Sequence, residues 1–298
     1  MSWRLSSAEL HGSKLSARLG PDPRVSGAPL AAPGPSGGAL MFDGIDDRMV
    51  VAEDIAELGA FLPKKHFTIS TWVSVNTPQS YGGVFSAIQD NGDSEQGIVL
   101  GYDTKSFYIG LATEGADDGD GVLTYLRGTT AYQIGRMYHV TATYDGELLC
   151  LYINGKLESS SKAQSGDVLY PNAAPVVIGA YKDDNEDILH HGRIRELTIY
   201  DQTASAEWVM EDFGHNSDLT LAAPQIPLDP HFTMKVKPFL QYGTQNSMVI
   251  TWETSRPSTA TVHWGEHVLG EEENLSLPHK IDGDDDALIH AVTLGGLE

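Results

Sequence analysis

The stretch that decides the fold is RMYHVTATYDGELLCLYINGKL (residues 136–157). Its two runs, MYHVTATYD (137–145) and LLCLYING (148–155), are dominated by β-branched and aromatic residues and are too short for independent helices. Gly146-Glu147 between them reads as a tight hairpin turn, and Asn154-Gly155 marks the next turn into KLESS. The same texture repeats outward in FTISTWVSV (67–75), GIVLGY (97–102), SFYIGLAT (106–113), PVVIGAY (175–181) and RIRELTIYD (193–201). One segment, SAEWVMEDF (205–213), reads as a helix. Many short strands separated by turn signals predict an all-β, antiparallel two-sheet sandwich.

Composition narrows the function classes. The 298 residues carry 41 acidic and 19 basic side chains, a formal net charge of −22. Such a chain is poorly suited to a phosphate backbone, so no nucleic-acid partner is expected. The balance favours divalent cations, cationic partners or solubility. No apolar run reaches the roughly 18–20 residues of a membrane span, and MSWRLSSAELHGSKL has no apolar stretch of signal-peptide length. Cys150 is the single cysteine, which excludes an intrachain disulfide and a multi-cysteine zinc site.

Two proline-rich stretches organise the chain. PDPRVSGAPLAAPGPS (21–36) reads as an extended connection inside or before the first domain. LAAPQIPLDP (221–230) has linker composition, which places a boundary over 214–234. A second β unit, 235–298, follows, with strands expected in MKVKPFLQYG, SMVITWET, TATVHWG and ALIHAVTLGGL. In SMVITWET, Met248, Ile250 and Trp252 share one face. About four strands are expected where a seven-strand sandwich needs three more, and the C-terminal HAVTLGGLE stops just after a strand-like run. The chain is therefore expected to be a fragment with an incomplete second sandwich.

The first region, a domain over 1–213 that includes an N-terminal extension, resembles the laminin-G-like family of concanavalin-A-type jelly rolls. The resemblance is carried by ALMFDGIDDRMVV (39–51), FTISTWVSV, RMYHVTATYDGELLCLYINGKL, and VVIGAY followed by HGRIRELTIYD. It implies a module that binds carbohydrate or extracellular protein at one rim, often through calcium, and an extracellular or periplasmic location. The second region resembles the fibronectin-III-like N-terminal domain of purple acid phosphatases, carried by KPFLQYGTQNSMVITWETSRPSTATVHWG (237–265) and HAVTLGGL (290–297). That resemblance implies a parent metallophosphoesterase whose dimetal catalytic domain lies beyond residue 298. The motifs such a centre needs, of the GNH and GHxH kind, do not occur here. Asp229-Pro230-His231 has DxH spacing, but within the proline-rich linker.

The strongest candidate site is a calcium rim made from two acidic loops, QDNGDSEQG (89–97) and YKDDNEDILHHG (181–192). Calcium takes six to eight hard oxygens, and Asp90, Asn91, Asp183, Asp184, Asn185, Glu186 and Asp187 offer them. The layout is similar to pentraxins, where an Asp-Asn pair and acidic residues after an I-x-G strand hold calcium. The alternative is two solvated acidic loops. A rival metal site is Asp43, Asp46 and Asp47 in FDGIDD, set against a hydrogen-bonded Asp turn. Trp72, by alternation on the face of Thr68, Ser70 and Ser74, is either a stacking platform for a sugar ring or covered by a loop or the N-terminal segment. Tyr102, Tyr108 and Tyr181 lie near the rim by sequence and are ligand-contact candidates. His190 and His191 are adjacent in an extended segment and point to opposite faces, so they do not chelate one ion.

These features favour a non-catalytic, monomeric recognition module forming the front of a larger metallophosphoesterase. A glycoside hydrolase on the same fold needs two carboxylates across a cleft. The one strand-borne candidate, Glu196, lacks an acidic partner at i+2.

Overall fold

The computed structural model describes residues 1–32, 38–216, 234–265, 277–283 and 287–297. It divides into two units, Met1–Pro227 and Leu228–Glu298. The expected linker at 221–230 and Asp229-Pro230-His231 lie outside the described residues.

The first unit is a sandwich of two antiparallel sheets. One runs in the order Lys156–Ser161, Leu149–Ile153, Tyr138–Tyr144, Phe67–Val75, His191–Tyr200, Ser2–Arg4 and Ala17–Leu19; Ala39–Asp43 joins it along His191–Tyr200, and Leu30–Ala32 pairs with Ala39–Asp43. The other runs Thr124–Arg127, Phe107–Leu111, Ser94–Tyr102, Gly82–Asn91, Val176–Ile178, Arg48–Ala52, Arg24–Ser26, Lys14–Leu15 and Leu10–His11. Period-two alternation builds the core between them. Phe67, Ile69, Val73 and Val75 point inward, as do Val140, Ala142 and Tyr144, Leu149, Leu151 and Ile153, and Ile98 and Leu100.

Both outer faces are covered. The helix Ala206–Gly214, N-capped by the Ser205 hydroxyl, lies on the outer face of the first sheet. It buries Val209 beside Cys150 and Tyr152. The hairpin Ala180–Lys182/Asp187–Leu189 lies on the second sheet, where Tyr181 and Ile188 pack with Ile88, Val99 and Tyr108.

The structure revises several boundaries. The 175–181 run is broken at Gly179, whose φ of 84° sends Val176–Ile178 into the second sheet and Ala180–Lys182 into the separate hairpin. A Cβ there would lie 2.6 Å from Phe42. The expected loop 89–97 is mostly strand: pairing continues from Gln89↔Gln96 to Asn91↔Ser94, leaving Gly92-Asp93 as the turn. Within 21–36, Arg24–Ser26 and Leu30–Ala32 are strands rather than connection, and 33–37 are not described. Asn154 and Gly155, at φ 51° and 75°, make the tight turn between Ile153 and Lys156.

In the second unit, Met234–Gln241, Ser247–Ser258 and Ala287–Gly295 form one antiparallel sheet, and Thr261–Trp264 pairs with His279–Asp282. Trp252, Ala260, Val292 and Leu294 are its buried cluster, with Ile250, Val262, Trp264 and Ile281 against it.

Candidate functional site

The two acidic segments meet although they are far apart in sequence. The Asp90 N–H donates to Asp183 Oδ2 at 3.3 Å, the Asn91 amide to Asp184 Oδ1 at 3.0 Å, and the Asp184 N–H to Gln89 Oε1 at 3.0 Å. Strand Gly82–Asn91 and the short hairpin thus lie side by side, with the Lys182 N–H also donating to Ser86 Oγ at 3.2 Å. Asp183 is buried, and its Oδ1 accepts from the N–H groups of Asn185 at 3.1 Å and Glu186 at 2.6 Å. With its amide nitrogen turned inward, Asn185 donates to Asp183 Oδ1 at 3.0 Å and Asp184 Oδ1 at 3.1 Å.

Two tyrosines finish the wall. Asp90 Oδ2 accepts from Tyr125 Oη at 2.5 Å and Tyr181 Oη at 3.0 Å. Burial, mutual proximity and the Asp90 carboxylate push the Tyr125 hydroxyl far above its ordinary range, so it is a fixed neutral donor. Burial first, then Asp183 and Asp90, raise the Glu186 carboxyl. Tyr81, partly exposed, lies with its ring centroid 6.0 Å from those of both Tyr125 and Tyr181.

The donor set is rich in hard oxygen, which suits a cation such as calcium, but the expected ligands are not equivalent. Asp187 is turned away: Arg48 Nη1 holds both of its oxygens at 2.7 Å. The Lys182 ammonium already sits on the carbonyl oxygens of Asp183, at 2.7 Å, and Glu186, at 3.2 Å. Asp90, Asn91, Asp183, Asp184 and Glu186 remain at the rim, held by the hydrogen bonds above, but among the described residues they do not form a group of carboxylates close enough to share one ion.

At the rival position, Asp43, Asp46 and Asp47 place carboxylate oxygens within 4.8 Å of one another. The turn is also hydrogen-bonded. Asp47 Oδ1 and Oδ2 accept from the N–H groups of Ala28 at 2.7 Å and Asp43 at 2.9 Å, while Asp43 Oδ1 accepts from Ile45 at 2.8 Å. Burial is the main reason Asp47 is pushed up to about 6; Asp43 and Asp46 add to it, and the two backbone bonds oppose it.

The aromatic expectations need correction. Trp72 is on the outer face, but it is buried under the helix, stacked on Phe213 at 5.9 Å and beside His139 at 5.1 Å. An indole on a solvent-side face is best removed from water by an amphipathic helix, so it is no sugar platform. Tyr102 is also buried; it sits in the core, with its hydroxyl 3.1 Å from His190 Nδ1. Tyr108 is buried on the outer side of the second sheet. Tyr181 is buried as a ring and reaches the rim only through its hydroxyl.

Ser70, His139 and Asp212 meet under the helix, an arrangement not legible in sequence order. Ser70 Oγ and Asp212 Oδ2 lie 2.9 and 3.0 Å from the same nitrogen, His139 Nε2, and Ser70 also donates to Asp212 at 2.7 Å. A nucleophilic relay needs the acid and the hydroxyl on opposite ring nitrogens. Here Ser70 and His139 are buried, Asp212 is half-buried, and the trio clamps the helix to the sheet. Burial works against the Asp212 carboxylate, but the bonds from His139 and Ser70 outweigh it and hold its pKa below the usual range.

Residues 46–210, more than half of the chain, match the family model described as the concanavalin A-like lectin/glucanases superfamily. The chain belongs to this laminin-G-type family. Pappalysin-1 of Homo sapiens is 26% identical over 211 residues, covering 67% of this chain and 12% of the relative; that of Mus musculus is 27% identical over 150 residues, covering 47% and 9%. The chain thus spans about a tenth of the length of the curated relatives it matches. Among solved structures, a Trypanosoma rangeli sialidase in complex with 2,3-difluorosialic acid is similar, with a TM-score of 0.51 and 15% identity, covering 74% of this chain and 33% of that one. At that identity the likeness concerns the fold alone. Among the described residues no helix is long and apolar enough to cross a membrane.

Lys182, Gln89, Tyr81 and Tyr125 are the rim residues that sequence reasoning missed. Alternation along Thr124–Arg127 carried the signal for Tyr125, which faces outward with Tyr108 from the neighbouring strand.

Proposed function

We propose that the first unit is a non-catalytic recognition module that takes a glycan or an extracellular protein at the acidic rim. The observation that carries this reading is the joining of two distant loops by oxygen-bearing side chains in a fold of the lectin/glucanase superfamily. Calcium is the proposed cofactor; its binding draws Asp90, Asn91, Asp183, Asp184 and Glu186 together, with Asp43, Asp46 and Asp47 as the competing position. Bound there, the ion supplies a positive site for hydroxyl or carboxylate oxygens. The protein's part is to hold the loops in register through Asp183 and to keep Tyr125 and Tyr181 as neutral donors. An extracellular or periplasmic setting and a monomeric state accompany this proposal.

A calcium titration followed by thermal melting tests it. An ion bound only to the folded state at a hundredfold excess over Kd stabilises by about 2.7 kcal/mol. That is on the order of 5–10 °C in a domain of this size. Magnesium prefers a small octahedral shell and is expected to do less. Asp184→Ala should remove the calcium-specific shift. A shift of equal size with magnesium, or one unchanged in Asp184→Ala, sinks the rim site in favour of charge screening.

A second reading concerns the parent protein. The strands Met234–Gln241 and Ser247–Ser258, which contain KPFLQYG and SMVITWET, form paired neighbours. This pairing supports the resemblance to the N-terminal domain of purple acid phosphatases. We propose a catalytic metallophosphoesterase domain beyond Glu298. The open reading frame tests it: a GDxH run followed by GNH supports the reading, and any other downstream domain removes it.

A further inference from the structure

The chain turns sharply between strand His191–Tyr200 and helix Ala206–Gly214, and this turn lines a cleft of about 410 Å³. We propose that this cleft is a binding site for one neutral sugar ring of a glycan, separate from the acidic rim. The proposal rests on the recognition reading above and gives it a second, differently placed contact. Thr68, Tyr200, Gln202, Thr203, Ser205 and Trp208 are the lining residues that matter.

The floor is fixed before any ligand arrives. Thr68 Oγ1 donates to Gln202 O at 2.8 Å and accepts from the Ala204 N–H at 2.8 Å. Thr203 Oγ1 donates to Tyr144 O at 2.6 Å, and Ser205 Oγ accepts from the Trp208 N–H at 3.2 Å. These bonds tie the turn to two core strands and to the helix start, so little ordering remains to be done on binding.

The walls supply what a sugar requires. Tyr200 is 41% exposed, and its ring stands edge-to-face with Trp208 at 5.3 Å and 80°. The pair makes an aromatic corner against which the apolar C–H face of a pyranose can lie. The Gln202 amide and the Trp208 indole N–H carry no hydrogen bond among the described residues, which leaves an amide donor and acceptor and a ring donor for hydroxyl groups. Apolar walls with a few placed polar groups are the make-up of small-molecule sites, and this volume lies within their ordinary range.

Charge selects the class of sugar. Burial first, then the nearby Asp212 and Glu196 carboxylates, raise the Tyr200 hydroxyl, and no Lys or Arg is among the residues lining the cleft. A carboxylate-bearing sugar would meet like charge with no cation to offset it. A neutral hexose meets no such opposition.

The test uses the full chain with methyl β-D-glucopyranoside and methyl β-D-galactopyranoside as probes and N-acetylneuraminic acid as the anionic comparison. Binding is read by saturation-transfer NMR and calorimetry. A single ring in an open cleft is expected to bind with a Kd on the order of millimolar. Tyr200→Ala and Gln202→Ala, both at exposed positions, should each weaken it about tenfold while leaving the melting temperature within a few degrees. Trp208→Phe keeps an aromatic body and loses the N–H, and should weaken binding a few-fold. Glycoside binding that ignores Tyr200→Ala and Gln202→Ala but is lost in Asp184→Ala overturns the cleft and leaves the rim reading standing. No saturable signal with either glycoside at about 50 mM, or equal binding of N-acetylneuraminic acid, also overturns the cleft as stated, and the rim then stands or falls by its calcium titration.

Discussion

The two units are written in the same alphabet of short, aromatic and β-branched strands, yet they bury it to different depths. In the first, Trp3, Phe42, Phe67, Phe85 and Phe107 are all fully buried, and each sheet has its outer face covered, one by a helix and the other by a hairpin. In the second, the described buried cluster is Trp252, Ala260, Val292 and Leu294, while Leu240 and Ile289 are 63% and 66% exposed. Strand character is a local property. Burial depends on how many layers the chain brings together, and small sheets with an open apolar face are marginal in water.

The largest effect should come from separating the units. Residues 1–216 are expected to melt cooperatively near the temperature of the full chain. Residues 234–298 alone are expected to show no cooperative transition by calorimetry. A sharp melt from the small piece would break the comparison outright.

Next in size is a core truncation at the N-terminus. Trp3 is fully buried in strand Ser2–Arg4, and its indole N–H donates to Pro21 O at 2.9 Å. Trp3→Ala should cost about 3–5 kcal/mol, on the order of 10 °C in melting temperature. Trp252→Ala should leave the first unit's transition where it is. A loss at Trp3 no larger than for a surface site would show that the N-terminal strand is not part of the core.

How much of this was legible beforehand depends on the range of the interaction. Phe67–Val75 and the hairpin around Asn154-Gly155 are set by local pattern and turn chemistry, and both read directly from sequence. The helix was legible from its pattern, and Ser205 is where its cap falls. Trp3 was not legible, because Ser2–Arg4 enters the sheet between Ala17–Leu19 and His191–Tyr200, the latter nearly 200 residues away. The rim was legible as composition but not as geometry. Whether Asp187 points to an ion or to Arg48, and whether Lys182 caps the loop carbonyls, depends on side chains that sequence spacing leaves undetermined. Trp72 was placed on its correct face, but its cover comes from Phe213, in a helix 141 positions later, so alternation could not distinguish platform from core. Tyr200 and Trp208 sit at an element boundary, where periodicity carries no information.

Acid should sharpen the comparison within the first unit. His190 is buried, between Phe42 and Tyr102, and burial lowers its pKa from 6.5 to about 3, with the neighbouring His191 adding to the effect. Between these values the unfolded chain binds a proton that the folded unit refuses. Stability is therefore full above about pH 6.5 and falls as pH drops towards 3, by up to about 5 kcal/mol from this group. Asp212, whose pKa is held low by His139 and Ser70, adds a loss of the same sign below its ordinary value of 3.8. His190→Gln keeps a polar partner for Tyr102 and should flatten the stability profile between pH 6 and 4 when followed by urea unfolding. An unchanged slope in that variant would assign the acid loss to other groups.

The smallest effect is expected at the helix that closes the first sheet. Ser205 Oγ satisfies the Trp208 N–H at the helix start, one of the donors a helix cannot pair internally. Ser205→Ala should cost about 1 kcal/mol, a few degrees in melting temperature. The cost stays small because the other end of the helix has its own anchors: Asp212 on Ser70 and His139, and Phe213 on Trp72. Combining Ser205→Ala with Asp212→Asn removes support from both ends of the helix. The double variant should lose more than the sum of the single losses, and its indole fluorescence should shift as Trp72 meets water, making this face resemble the open sheet of the second unit. Strict additivity with unchanged fluorescence would mean that the helix is held by Val209 packing against Cys150 and Tyr152 rather than by its termini.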